Sequence, residues 1–98
     1  MKHDESKILS IEESVAKAFE VDRETFYAKF GVRELCTARH FLWMLLHDEY
    51  EMSHREISKR YLHSKRMVEK AISGMRFRVE NQRQDRKRYE ELKNLLMI

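Results

Sequence analysis

Apolar residues recur at helical spacing along most of the chain. Ile11, Val15, Ala18 and Phe19 fall on one face of a 3.6-residue helix, and Ser10 with Glu13 three places on reads as a capping box opening it. Residues 1–7 lie outside this pattern and are expected to be flexible, with residues 8–98 forming one domain. Asp22 is placed to cap a short element from Arg23 to Tyr27 that turns Phe26 toward the core. Ala28 to Arg33 reads as a loop in which Gly31 can take a positive φ. From about Arg33 to His47 the pattern changes: Leu35, Ala38, Phe41, Leu42, Trp43, Met44, Leu45 and Leu46 leave almost no polar face. A helix that is apolar nearly all round is wrapped by others, so this segment is the predicted core helix.

Residues 52–75 carry two short helical patterns back to back. Ser53 with Glu56 forms a second capping box, and Ser64 precedes a run in which Val68, Ala71, Ile72 and Met75 make one stripe. The other faces of that second helix hold Lys65, Arg66, Glu69, Lys70 and Ser73. The three residues between the patterns, Tyr61, Leu62 and His63, predict a helix-turn-helix. None of the three is glycine, so one of them should carry a strained angle, and His63 tolerates positive φ best. The second helix is predicted to run on to about Gln82. A last helix from about Asp85 places Tyr89, Leu92, Leu95 and Leu96 on one side, with Arg83, Arg86, Lys87 and Arg88 crowding its start.

Composition agrees with an all-α bundle of five to six helices: no proline, two glycines, and 42% hydrophobic residues beside 38% charged in 98 residues. A chain of this length holds one core and no separate catalytic domain. The net charge is +3, but it is uneven: residues 1–24 hold seven acids against four bases, leaving sixteen bases against ten acids in residues 25–98. That asymmetry points to a polyanionic partner. A single cysteine excludes an internal disulfide, and no run approaches the roughly 20 apolar residues that span a bilayer. A cytoplasmic protein with no membrane partner is therefore expected.

Catalytic chemistry is not expected. No Ser/His/Asp order and no phosphate-cradling glycine loop is present, and neighbouring carboxylates such as Glu12 and Glu13 point different ways on a helix. Cys36, His40 and His47 fall on nearly one line of the core helix, but one stripe does not close a tetrahedron, so no metal is assigned. No cofactor or small-molecule substrate is implied.

The order of features, VAKAFEVDRETF, then a basic loop, ELCTARHFLWMLLHDEY and EISKRYLHSKRMVEKAI, resembles the C-terminal DNA-binding domain of the bacterial replication initiator DnaA. The likeness runs from about Ile8 to Leu96. Ala38-Arg39 stands where the family has Pro-Arg, and Glu56-Ile57-Ser58 where it has Glu-Ile-Gly. The resemblance implies a helix-turn-helix domain of the Trp-repressor-like kind that binds double-stranded DNA at replication origins. The departures fall on the reading residues. Aligned backward from Val68, His63 takes the place of the signature's Arg, Ser64 of its Asp, Lys65 of its His and Arg66 of its first Thr; the family's minor-groove arginine falls on Gly31. The 98 residues also lack the family's ATPase domain, so helicase loading is not expected of them.

The function expected is therefore sequence-specific double-stranded DNA binding with altered specificity, in replication initiation, transcription regulation or a mobile element. Ser64, Lys65, Arg66 and His63 are the expected base readers, an arginine or lysine pairing with guanine O6 and N7. Lys29, Arg33, Arg39, Arg55, Lys59, Arg60 and Lys70 are the expected phosphate or minor-groove contacts. The alternative is a protein-interaction module that kept the fold and lost DNA, pairing as a homodimer or with another protein through Leu92, Leu95 and Leu96.

Overall fold

The apolar segment expected at the centre is there. In a computed structural model that describes residues 4–28, 31 and 33–96, five helices and one 3-10 turn account for most of those residues, with no strand among them. They are α1 (Glu5–Phe19), the 3-10 turn Arg23–Tyr27, α2 (Arg33–Asp48), α3 (His54–Tyr61), α4 (Lys65–Asn81) and α5 (Arg83–Leu96). Helix α2 packs against α1, α3, α4 and the 3-10 turn, and Phe41, Leu42, Trp43, Leu45 and Leu46 have no exposed surface. Each side chain of this size buried contributes about 1.5–3 kcal/mol, more than a surface ion pair. No described helix is long and apolar enough to cross a membrane.

Helix α1 starts earlier than its pattern predicts. Asp4, with an extended backbone, accepts from the Ser6 N–H at 3.0 Å, so the helix opens at Glu5 and Ser10 lies in its interior. Of the four residues expected on one face, Ile11 and Val15 are buried, Phe19 packs against the core and Ala18 is exposed; Ile8, Glu12 and Ala16 complete the buried stripe. The 3-10 turn has the predicted bounds and a fully buried Phe26, but the Asp22 side chain does not cap it. Its first hydrogen bonds run from the Thr25 N–H and hydroxyl to the Asp22 carbonyl.

Three turns among the described residues are made without glycine. Glu20, Glu51 and Leu62 have φ of 58°, 61° and 58°, and neither glycine has a positive φ. Gly31 answers a different need from the one expected of it: a Cβ there would lie 2.3 Å from Leu35 Cδ2, so the residue permits close approach of the loop to α2.

At the other end, Gln82 breaks α4 from α5 with an extended backbone. Of the cations at the start of α5, which oppose its macrodipole, Arg86 and Arg88 find partners inside the chain, as does Arg78 of α4. Arg86 donates to the Val79 and Glu80 carbonyls at the C-terminus of α4, Arg78 pairs with the buried Asp85 at 3.3 Å, and the Arg88 guanidinium lies 4.5 Å from the Phe19 ring centre. The leucine face of α5 is mostly spent on the core. Leu92 and Leu96 are buried and Leu95 alone of the three is exposed, so the surface expected for pairing of two chains is not there as a surface.

Candidate nucleic-acid interface

Both predicted caps of the α3–α4 pair are formed. Ser53 Oγ accepts from the Glu56 N–H at 3.1 Å while the Glu56 carboxylate accepts from the Ser53 N–H at 2.8 Å, and Ser64 Oγ accepts from the Met67 N–H at 3.1 Å. Between them the positive φ falls on Leu62 rather than His63. The reason lies in how His63 is held: its N–H donates to the Ser58 carbonyl, its own carbonyl accepts from Ser58 Oγ at 2.6 Å, and its ring sits edge-on to Trp43 at 5.1 Å. Leu62 is left to turn the chain, with its side chain 74% exposed.

With Val68, Ala71, Ile72 and Met75 buried as expected, the first turn of α4 faces outward. Ser64, Lys65 and Arg66 are exposed, and Met67 is half exposed. Lys65 Nζ lies 3.5 Å from Glu69 on the next turn, and His54 of α3 shares that carboxylate at 3.7 Å. Burial and the neighbouring His47 hold the His54 pKa below its ordinary value. Arg66, Lys70, Arg55 and Lys59 are exposed and have no ion pair among the described residues. Arg33 is exposed at the start of α2, and Lys29 lies outside the described residues.

Three of the expected contacts are committed elsewhere. Arg39 is buried, and its guanidinium donates to the Ala28 carbonyl at 2.6 Å; it braces the loop against α2 instead of facing a phosphate. Arg60 makes a two-bonded pair with Glu5 at 2.8 and 2.7 Å and lies 3.5 Å from Glu12. The Glu5 bond raises the Arg60 pKa further and holds the Glu5 carboxyl below the usual range. His63 is half-buried, with its ring against Trp43.

The centre that holds Arg60 was not legible as a site. Glu12 is fully buried and accepts from the Tyr27 and Tyr61 hydroxyls, each at 2.5 Å, and from Arg23 at 3.1 Å. Burial, followed by Glu12, pushes both phenol pKa values up. The signal was its register: Glu12 stands four residues from both Ile8 and Ala16, on the apolar stripe of α1.

A groove runs beside α4 and shares Ser64 and Arg66 with its first turn. It is lined by Met67, Ala71, Gly74 and Met75, with Arg66, Lys70 and Arg78 along it and His40 of α2 opposite.

Compared with models of known protein families and with curated protein sequences, the chain matches none.

Proposed function

We propose that this protein binds double-stranded DNA through α3 and α4 as a helix-turn-helix, built like the DnaA C-terminal domain but with a site of its own. The observation that carries the reading is the first turn of α4, where Arg66 is exposed and has no ion pair among the described residues, on a helix whose opposite stripe is locked in the core. A first turn of this kind meets base edges when the helix enters the major groove. Arg66 reads a guanine, Lys65 reads beside it once released from Glu69, and Ser64 fixes the helix start. Arg33, Arg55, Lys59 and Lys70 hold phosphates. Arg39, Arg60 and His63 drop out of the interface for the reasons of burial and pairing given above. The leucine-face alternative loses support because two of its three residues lie in the core.

The test is selection of a preferred duplex from a random pool, followed by salt titrations of the wild type and Arg66→Ala. The DnaA origin box is expected to bind no better than scrambled duplex, since every base-reading residue of that signature differs here. Preference for the box above roughly a hundredfold would overturn the altered-specificity part of the reading. Absence of salt-dependent binding to any duplex would overturn the whole.

A further inference from the structure

Among the described residues no contact calls for glycine at position 74. It sits in the interior of α4 with an ordinary φ, and a Cβ added there would meet nothing within 4 Å. A glycine in a helix interior costs about 1 kcal/mol relative to alanine, and here no packing requires the cost. What a missing side chain does provide is access, because a body outside the chain can come close to the backbone between Lys70 and Arg78, one turn to either side.

The surroundings say what kind of body fits. The groove floor is Met67, Ala71 and Met75, its cations are Arg66, Lys70 and Arg78, and among the described residues no carboxylate lines it. Lys70 and Arg66 have no ion pair among the described residues, while Arg78 meets Asp85. Burial lowers the His40 pKa, so at neutral pH that ring closes the groove without charge. A nucleic-acid strand needs donors along its phosphates and gains little from a floor of methionine and alanine side chains. An amphipathic helix needs such a floor for apolar anchors at i, i+3, i+4 and i+7, and acidic flanks on it would meet the cations.

We propose that the groove along Arg66, Lys70, Gly74 and Arg78 docks an acidic amphipathic helix of a partner protein. This goes beyond the DNA reading and stands without it. Where both hold, helix and duplex compete for Arg66 and Lys70, and the partner is an inhibitor of DNA binding.

The test uses the full chain and a labelled synthetic helix with Leu at i, i+3, i+4 and i+7 and Glu at the flanking positions, followed by fluorescence anisotropy. Saturable binding at roughly 1–100 μM is expected, weakened at least tenfold by Gly74→Leu, which fills the groove, and by Lys70→Glu. Gly74→Leu should unfold at the same temperature as wild type or higher, since leucine is the better helix former. A control peptide with Lys in place of Glu should bind at least tenfold more weakly. No saturable binding below roughly 1 mM, or a Gly74→Leu variant that binds the peptide like wild type, overturns the proposal. If Gly74→Leu impairs only duplex binding, the groove belongs to DNA and the proposal also fails. Peptide binding in a chain that ignores every duplex would leave this proposal standing and sink the DNA reading alone.

Discussion

Two basic regions of this molecule look alike in sequence and differ in what their charges do. Where α1 meets the 3-10 turn and α3, Arg23 and Arg60 converge on Glu12, with Glu5 closing the pair from outside and Tyr27 and Tyr61 donating to the same carboxylate. Along the outer face of α4, Arg66 and Lys70 make no ion pair among the described residues. The first cluster holds three elements together; the second is left for something else. A cation's availability is decided by its neighbours in space, and net charge does not distinguish a strut from a contact.

The strongest way to break the contrast is to remove the carboxylate. Glu12→Ala leaves the Tyr27 and Tyr61 hydroxyls and the Arg23 guanidinium without their acceptor, and should lower stability by about 3 kcal/mol in urea unfolding. A loss below about 1 kcal/mol would mean the knot is ornamental to the fold. The same centre predicts an alkaline limit. Burial holds Tyr61 and Tyr27 protonated above their ordinary value of 10.0. Because their folded pKa values exceed the unfolded ones, the stability they add is intact below pH 10 and is lost as the pH climbs beyond it. Urea midpoints measured from pH 7 upward should hold level and then fall, with a shallower fall in Tyr61→Phe.

On the other side, Arg66→Ala should leave unfolding nearly unchanged and cost about 1–3 kcal/mol on a selected duplex, with little effect on random DNA. Equal losses on both duplexes would reduce α4 to a nonspecific contact. Neighbours on α3 sharpen the comparison. Arg60→Ala should lower stability by about 1–2 kcal/mol and leave DNA affinity alone, because its charge is already answered by Glu5 and Glu12. Lys59→Ala should do the reverse, weakening all duplexes alike and reducing the salt slope by about one. The smallest expected effect lies in the turn: Leu62→Gly relieves a left-handed backbone at an exposed side chain and should stabilise by about 0.5–1 kcal/mol.

Much of this architecture was legible from spacing and caps. The Ser53 and Ser64 caps, the apolar α2 and the stripe from Val68 to Met75 all follow from local rules, because a capping hydroxyl acts within three residues and a buried face repeats every 3.6. What escaped involved partners far apart in the chain. Glu12 looked like a solvated acid until Tyr61, 49 residues on, was brought to it. Arg39 and Arg60 looked like surface cations until the Ala28 carbonyl and Glu5 took them up. His63 had the better intrinsic tolerance of positive φ, yet Ser58 and Trp43 held it and passed the turn to Leu62.

The sequence by itself determined that this chain is helical, where most helices lie, which face of each is apolar, and that the first turn of α4 is basic. Those properties are set by backbone propensity, capping and periodicity, which act over a few residues. Tertiary structure alone decided which cations remain available, which leucines of α5 stay at the surface and that Gly74 opens a groove. Those are properties of juxtaposition: apart from a pair one turn apart such as Lys65 and Glu69, a charge here is answered by what packing brings within about 4 Å of it, and spacing along the chain does not carry that distance.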